Sequence, residues 1–331
     1  MVVIRAFAHR RVADVAAADH RPTMGQKTVT VTTAARLHFG PLAWKSGGPA
    51  FGGLGMMVRG PGLTGKVVAS PDRRWSVEAD DEDVRRRVES LTGRLRDRDV
   101  APCRITVAKA LRPHAGLGSG TQLAAGVADA CVRAGGGRVR DVATMAGLTG
   151  RGQRSWLGLH GYLDGGLMLD AGRVGDAGVL ASRVACPGVM LLALDGPAGM
   201  SGGEEEGTFR ELPPMPAETT GRLCDLAVRH VIAGAAGGDF ALFADGLTEY
   251  GLIAGDFFKT SQGGRFADPA WEDRLEATRA CGHVAVVQSS WGPAVAVICE
   301  DEATAGRVRE ACPDVTFQTA EAVPPSSRPA G

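Results

Sequence analysis

The sequence has no excess of charge of either sign and no long apolar run. Lysine and arginine together number 37, aspartate and glutamate also number 37, and the formal net charge is therefore zero. A protein that binds nucleic acid or an anionic membrane through its overall charge needs a basic excess, which this balance excludes. The longest apolar runs, which include residues 189–194, are six residues long and far too short to cross a bilayer. We therefore expect a cytoplasmic protein with neither nucleic acid nor a membrane as its partner.

Cysteine pairs and aromatic residues are also scarce. The seven cysteines are odd in number and scattered without a CxxC pair, which favours free thiols in a reducing compartment over disulfides or a zinc site. Residues 1–21 lack the apolar stretch of a secretory signal. Aromatic residues make up 5% of the chain, and lysine occurs at only five positions. Arginine is thus the main cation, and its planar guanidinium suits phosphate and carboxylate groups.

Glycine, by contrast, is abundant at 47 residues, and the length of 331 residues predicts two domains. Strand and helix patterns are mixed along the chain without the strict alternation of βαβ units, which favours an α+β fold. A segment rich in Gly, Glu and Pro at 196–216 marks the predicted domain boundary. We predict a disordered extension over 1–27, an N-terminal domain over 28–205, a C-terminal α+β domain over 206–322 and a disordered tail over 323–331.

The segment 113–122, with the sequence PHAGLGSGTQ, lies between a predicted strand and a predicted amphipathic helix. Its three glycines permit positive φ angles and a close approach of the backbone to a ligand. We predict that Ser119 and Thr121 cap the helix, whose first amides bind phosphate with the help of the helix dipole. The segment is not a Walker A loop, because no Gly-Lys-Ser/Thr follows. A glycine loop without a ligand is the alternative.

The same segment carries a family resemblance. The pattern Pro113-x-x-Gly116-Leu117-Gly118-Ser119 resembles the phosphate loop of the GHMP kinase superfamily, with Gly120 where a hydroxyl residue usually follows. Further motifs resemble one family of that superfamily, the beta-ribofuranosylaminobenzene 5'-phosphate synthases. They are ARLHFG at 35–40, FGGLG at 51–55, GRGQRS at 150–155, GGLMLD at 165–170, GMSG at 199–202, QGG at 262–264 and QSSWGP at 288–293.

The resemblance implies a fold and an activity. The implied fold is two-domain and GHMP-kinase-like, with an N-terminal domain similar to domain 2 of ribosomal protein S5 and a ferredoxin-like C-terminal domain. The implied enzyme is a homodimer that condenses 4-aminobenzoate with 5-phosphoribosyl diphosphate in tetrahydromethanopterin biosynthesis. It releases carbon dioxide and diphosphate and uses Mg²⁺. The residues leave two alternatives open, an ATP-dependent small-molecule kinase and a non-catalytic anion-binding protein.

Four residues are expected to be catalytic if the resemblance holds: Arg36, His38, Arg151 and Arg154. Arg36 and His38 follow the first predicted strand, where the guanidinium suits a phosphate or carboxylate and the imidazole donates a proton or a hydrogen bond near neutral pH. Arg151 and Arg154 are three residues apart and are expected to clamp an anion. As alternatives, the arginines are ordinary solvated side chains and His38 is packed in the core.

The remaining expected site residues bind substrate or metal. Asp170 ends a predicted strand and is expected to ligate Mg²⁺, which usually takes one or two carboxylates from a protein, although it could instead cap a turn. Trp291 is expected to stack on the aromatic acid, with structural packing as the alternative. The expected phosphate- and substrate-binding residues are Pro113, Gly116, Leu117, Gly118, Ser119, Gly120, Thr121, Gln288, Ser289, Ser290 and Trp291.

Overall fold

The computed structural model describes residues 27–45, 47–196, 207–208 and 210–326. Its strands are β1 (Val29–Gly40), β2 (Gly53–Arg59), β3 (Thr64–Pro71), β4 (Ser76–Ala79), β5 (Cys103–Lys109), β6 (Leu167–Val174), β7 (Ala177–Val184), β8 (Val189–Ala193), β9 (Val284–Gln288), β10 (Val295–Cys299) and β11 (Phe317–Ala322). Its helices are α1 (Glu82–Arg96), α2 (Ser119–Ala134), α3 (Val142–Thr149), α4 (Leu157–Asp164), α5 (Ala217–Asp225), α6 (Ala233–Gly237), α7 (Phe240–Gln262), α8 (Trp271–Arg279) and α9 (Glu302–Ala311), and the π-helical segment Leu226–Ile232 joins α5 to α6.

Strand β1 is longer than the sequence pattern predicts, and it contains two of the expected catalytic residues. Leu37 and Phe39 are buried and continue the alternation of the strand to Gly40, so Arg36 and His38 lie within β1 and do not follow it. Residues 29–34 pair with β3 and residues 35–40 pair with β2, both antiparallel. Arg36 and His38 are thus held on the half-buried side of a strand by their hydrophobic neighbours.

Strand β2 occupies a segment that the sequence shows only as glycine-rich. Its first six residues are all buried, because β2 pairs with β1, β6 and β11 and lies inside the hydrophobic core. A strand buried on both faces has no alternation of polar and apolar residues, so the usual sequence signal is missing. Gly55 shows why glycine is needed here, since a Cβ at that position would lie 2.5 Å from the carbonyl oxygen of Leu37.

Helices α1 and α2 cover the strands next to the predicted phosphate loop. α1 begins after Asp81, whose carboxylate accepts hydrogen bonds from the amides of Asp83 and Val84, and it buries Val84, Val88, Leu91 and Leu95 at helical spacing. α2 packs on β1 and β3 through small residues and is buried along most of its length. α2 is the helix that the sequence predicts directly after the glycine loop.

One continuous set of strand pairings connects the two predicted domains. The order is β4-β5-β3-β1-β2-β11-β8-β10-β9, and β6 pairs with β2 and β7. β8 precedes the predicted boundary but pairs with β10 and β11, which follow it. The boundary itself, between residues 205 and 206, falls within segment 197–206, which lies outside the described residues, and it stays a prediction.

The last described residues differ from the predicted unstructured tail. The amide of Val323 donates to the carbonyl oxygen of Met57, and its own carbonyl oxygen accepts from Gly166. The hydroxyl of Ser326 lies 2.7 Å from a carboxylate oxygen of Asp164. These contacts hold residues 323–326 against β2 and α4. The predicted extension over 1–27 lies outside the described residues except for Lys27, as does the tail from residue 327.

The described part of the chain contains no helix that is long and apolar enough to cross a membrane.

Candidate active site

A cavity of about 620 Å³ lies where β1, α2, the loop before α4 and the turn after β9 meet. A larger cavity of about 920 Å³ lies along the first half of β1, but it includes none of the expected site residues. We assign the site to the smaller cavity, because the residue chemistry is concentrated there. The expected residues that line it are Arg36, His38, Thr121, Arg151, Arg154, Ser290 and Trp291.

The phosphate loop has the predicted backbone but not the predicted cap. Gly116 and Gly118 have φ angles of 73° and 65°, in the left-handed region that favours glycine. Gly118 is the N-cap of α2 and no side chain caps the helix, so the predicted capping by Ser119 and Thr121 is wrong. The helix therefore begins on a glycine whose carbonyl oxygen accepts from the amides of Thr121 and Gln122.

Two arginine side chains lie against this loop. A Cβ at Gly118 would lie 2.9 Å from Nε of Arg36, and a Cβ at Gly120 would lie 3.5 Å from a terminal nitrogen of Arg151. Both arginines line the cavity. The tip of α2 thus presents guanidinium groups next to its own amides, and both favour an anion.

The other loop residues have structural positions. Leu117 packs in the core, and Pro113 lies in an exposed turn outside the cavity lining. Gly116 approaches the turn after β9 so closely that a Cβ would lie 2.6 Å from the carbonyl oxygen of Ser289. Gly116 is therefore needed for the packing of the loop against that turn.

His38 is a neutral imidazole in this site. Its Nδ1 accepts a hydrogen bond from the amide of Gly40 at 3.2 Å, which leaves the proton on Nε2. The pKa of His38 is lowered from 6.5 to about 3. Burial is the main cause, and the positive charges of Arg36 and Arg154 contribute to the same shift. At neutral pH a neutral His38 can donate a hydrogen bond through Nε2 but cannot act as an imidazolium acid.

Ser289 is completely buried and connects three segments. Its hydroxyl donates to the carbonyl oxygen of Gly116 at 2.6 Å and accepts from the amide of His38 at 3.0 Å. The amide of Ser290 donates to the carbonyl oxygen of His38 at 2.7 Å. These bonds fix the phosphate loop, β1 and the turn after β9 relative to one another. Ser289 acts by positioning, since its hydroxyl is already used.

The side chain of Gln288 is also used within the protein. Its Oε1 accepts from the amide of Ala267 at 2.7 Å, and its Nε2 donates to the carbonyl oxygen of Ser290 at 3.0 Å. It also lies 3.3 Å from Oε1 of Gln262. These bonds shape the turn that carries Ser290 and Trp291, so Gln288 supports the cavity from outside its lining.

Aromatic rings also contribute to the cavity. Trp44 and Phe51 meet edge to face with centroids 5.4 Å apart, and Phe258 and Trp291 lie 4.5 Å apart. All four line the cavity. Of these, only Trp291 was expected from the sequence. Phe51 stands in a quoted motif, whereas Trp44 and Phe258 have no distinguishing local pattern.

The charge of the cavity is positive. Among the described residues its lining includes four arginines, Arg36, Arg151, Arg154 and Arg210, and no aspartate or glutamate. Burial lowers the pKa of Arg151, and the nearby charges of Arg87 and Arg94 contribute to the same shift. A site of this composition favours a ligand with several negative charges. Arg210 lies close to residues 197–206, which are outside the described ranges. No pattern in the sequence had identified it as a site residue.

Asp170 holds the loop that carries Arg151 and Arg154. Its carboxylate is 1% exposed; one oxygen accepts from the amide of Trp156 at 2.9 Å and the other from Gly172 at 2.9 Å. The described residues contain no group of three or more potential metal ligands. Because both oxygens already accept N–H groups, this arrangement does not suit a metal ligand. Magnesium binding by Asp170 stays a prediction of the sequence.

Comparisons with known proteins agree with this architecture. Residues 231–315 match the family described as GHMP kinases C terminal. Phosphomevalonate kinase from Streptococcus pneumoniae superimposes with a TM-score of 0.69 and 13% identity over 90% of this chain and 100% of that one. The chain has the GHMP-kinase fold. Mevalonate pyrophosphate decarboxylase from Streptococcus pyogenes shares it, with a TM-score of 0.69 and 11% identity over 92% and 99% of the two chains.

A curated relative supports the narrower resemblance within the GHMP-kinase fold. Beta-ribofuranosylphenol 5'-phosphate synthase from Methanothermobacter thermautotrophicus is 27% identical over 224 residues, which cover 62% of this chain and 67% of the relative. This confirms the resemblance predicted from the motifs, and the GHMP-kinase-like α+β fold is confirmed as well. Phosphomevalonate kinase and mevalonate pyrophosphate decarboxylase are each less than 25% identical to this chain, so they support the fold alone.

Proposed function

We propose that this protein is a phosphoribosyl-type transferase that condenses 4-aminobenzoate with 5-phosphoribosyl diphosphate. The observation that carries the proposal is the composition of the cavity lining, which combines arginines and the tip of α2 with four aromatic rings. The guanidinium groups and amides suit a diphosphate, and the aromatic side chains suit an aromatic ring. A relative named beta-ribofuranosylphenol 5'-phosphate synthase supports the same reading.

The proposed chemistry needs no protein nucleophile. The bond between the anomeric carbon and the diphosphate oxygen breaks, and diphosphate leaves with the electron pair. The ring carbon that bears the carboxylate, made electron-rich by the para amine, forms the new bond to the anomeric carbon. The bond to the carboxylate then breaks, carbon dioxide leaves, and its electron pair restores the aromatic ring. No proton has to be removed from the ring, so a neutral His38 is compatible with every step.

The residues then act by binding and charge stabilisation. Arg36 and the amides at the tip of α2 would hold the diphosphate and stabilise the charge that develops on it as it leaves. Arg154 would hold the carboxylate of the aromatic acid. Trp291 and Phe258 would place the ring, and Nε2–H of His38 would donate a hydrogen bond to an oxygen of the substrate. Holding the two substrates in line supplies much of the rate enhancement.

Several parts of this proposal extend beyond the cavity. Mg²⁺ belongs to the proposal through the resemblance to the synthases, and it would supply partial neutralisation of the charge of the diphosphate. A place in tetrahydromethanopterin biosynthesis, a cytoplasmic location and a homodimeric state belong to the proposal through the resemblance to the synthases.

A single assay tests the function. Purified protein is incubated with Mg²⁺, 5-phosphoribosyl diphosphate and carboxyl-labelled 4-aminobenzoate, and released label is measured with 4-hydroxybenzoate as the parallel substrate. Release that depends on both substrates supports the synthase. ATP hydrolysis or transfer to a small alcohol, without label release, would instead identify a kinase. Binding of the diphosphate without turnover of either kind would identify a non-catalytic anion-binding protein.

A further inference from the structure

Arg94 of α1 lies at the rim of the cavity, next to Arg151. A Cβ at Gly150 would lie 2.8 Å from Cζ and 2.9 Å from a terminal nitrogen of Arg94, so this guanidinium rests directly on Gly150. Gly150 and Arg151 both line the cavity. Arg151 in turn reaches the tip of α2 near Gly120. The two arginines therefore form a cationic strip from the phosphate loop to the outside of the site.

Among the described residues, Arg94 and Arg151 lack the carboxylate partners that the arginines in the first turns of α1 have. On α1, Arg85 pairs with Glu82 and Glu89, and Arg86 and Arg87 pair with Asp83. Within the described ranges neither Arg94 nor Arg151 has a carboxylate within salt-bridge distance. Two adjacent guanidinium groups without an anion repel each other, and an anion bound between them would remove that cost.

We propose that Arg94 and Arg151 form a second phosphate subsite at the mouth of the cavity, separate from the one at Arg36 and the tip of α2. This inference rests on the proposed function and refines it. A phosphorylated sugar diphosphate has two anionic groups at opposite ends of one ribose. The diphosphate end takes the inner subsite, where the bond breaks, and the terminal 5'-phosphate takes the outer one. The outer subsite then selects phosphorylated sugars over free diphosphate.

A structural explanation for Arg94 makes different predictions. Gly150 is the C-cap of α3, and a cation at the C-terminus of a helix is stabilised by the helix dipole. If this were the whole role of Arg94, its loss would lower thermal stability slightly and leave the binding of every ligand unchanged.

The test is isothermal titration of the full chain with 5-phosphoribosyl diphosphate, with ribose 5-phosphate and with inorganic diphosphate, each with Mg²⁺. We expect Arg94→Gln to raise the Kd of the two phosphorylated sugars about tenfold or more, since a hydrogen bond to a charged group is lost. The Kd of inorganic diphosphate should change less than twofold. Arg94→Lys should recover part of the affinity, because it keeps the charge and loses the planar fork.

Arg98→Gln is the matched control. It removes the same charge four residues further on, just after the end of α1, where Arg98 rests near Gly147. Equal losses for all three ligands, or equal losses in both variants, would show a general charge effect and overturn the subsite. Unchanged affinities in Arg94→Gln would overturn it as well and leave the synthase proposal intact if the wild type releases carbon dioxide. If the wild type binds no phosphorylated sugar, both proposals fail.

Discussion

The hydroxyl of Ser289 donates a 2.6 Å hydrogen bond to the carbonyl oxygen of Gly116, from which it is separated by 173 residues in the sequence. The hydroxyl oxygen of Ser289 also accepts from the amide of His38, so one buried side chain connects the phosphate loop to β1. The contact also depends on Gly116 having no side chain, because a Cβ there would meet the backbone of Ser289. The candidate site is therefore assembled by a bond between segments that are distant in the chain.

Replacing Ser289 by alanine should destabilise the protein and loosen the site. Two buried backbone groups lose their partner, and we expect the free energy of unfolding to fall by about 1–3 kcal/mol. Urea denaturation measures this change, and the KM for 5-phosphoribosyl diphosphate should rise in parallel. Ser70→Ala removes an exposed hydroxyl contact with Thr28 and serves as the control, with a change expected within about 0.5 kcal/mol. Equal stability of the two variants would contradict the role assigned to Ser289.

Gly118→Ala should disable the tip of α2. Its φ of 65° is strained for alanine, and the new methyl group would lie 2.9 Å from Nε of Arg36. Gly62→Ala is the control, because Gly62 has a φ of 70° and nothing within 4 Å of the Cβ position. Both variants should lose about 1–2 kcal/mol of stability from backbone strain. Only Gly118→Ala should weaken diphosphate binding, by calorimetry; equal binding in the two variants would argue against an anion at this tip.

The stability of the protein should depend on His38 in mildly acidic solution. The pKa of His38 falls from 6.5 in the unfolded chain to about 3 in the folded one, so the unfolded state binds its proton first as the pH decreases. This contribution is complete above pH 6.5 and is lost progressively from pH 6.5 towards pH 3. The wild type should therefore lose on the order of 2–4 kcal/mol more than His38→Asn across that window.

Urea titrations of both proteins at several pH values measure this difference. His160 also has a pKa lowered by burial, but it is present in both proteins and cancels in the comparison. Parallel stability curves for wild type and His38→Asn would show that His38 is not held neutral. Neutrality also predicts that no ionisation of His38 appears in the pH profile of kcat between pH 6 and 8.

Trp291→Leu should separate the binding of the two substrates. The ring centroids of Trp291 and Phe258 lie 4.5 Å apart, and both side chains line the cavity. Loss of the ring contact should raise the KM for the aromatic acid about tenfold, corresponding to about 1.4 kcal/mol, while the KM for 5-phosphoribosyl diphosphate changes little. Trp75→Leu removes a tryptophan outside the cavity and should alter neither constant. A parallel rise of both constants in Trp291→Leu would indicate general loss of structure instead.

Asp170→Asn tests whether this carboxylate binds magnesium or holds the loop. Asparagine keeps one acceptor oxygen, but its NH₂ group would face the N–H of either Trp156 or Gly172 and leave that donor without a partner. We therefore expect the free energy of unfolding to fall by about 1–3 kcal/mol. Thermal unfolding should show this loss equally with and without MgCl₂. Asp176→Asn, at a fully exposed position, is the control. A variant of normal stability whose activity requires more Mg²⁺ would establish the metal role.

The sequence predicted the parts of the site that depend on local chemistry. The glycine loop, Arg36, His38 and the arginines of 150–155 are recognisable because each lies in a short motif. The structure adds what depends on distant contacts. Nothing near Ser289 identifies Gly116 as its partner, and Phe258 reaches the cavity from a helix that looks like ordinary core. Asp170 illustrates the same limit, since a carboxylate at a strand end binds a metal or caps a loop according to which groups fold against it.

The pairing of β8 with β10 and β11 has a consequence for biosynthesis. β8 contains most of one of the longest apolar runs of the chain, and both of its neighbours are translated later, beginning at Val295 and Phe317. At roughly 5–20 residues per second, the ribosome needs on the order of five to twenty seconds to reach β10. During that interval the apolar segment that forms β8 has neither of its neighbouring strands and is prone to aggregate. The supply of chaperones that shield this intermediate should therefore determine how much active protein forms at elevated growth temperature.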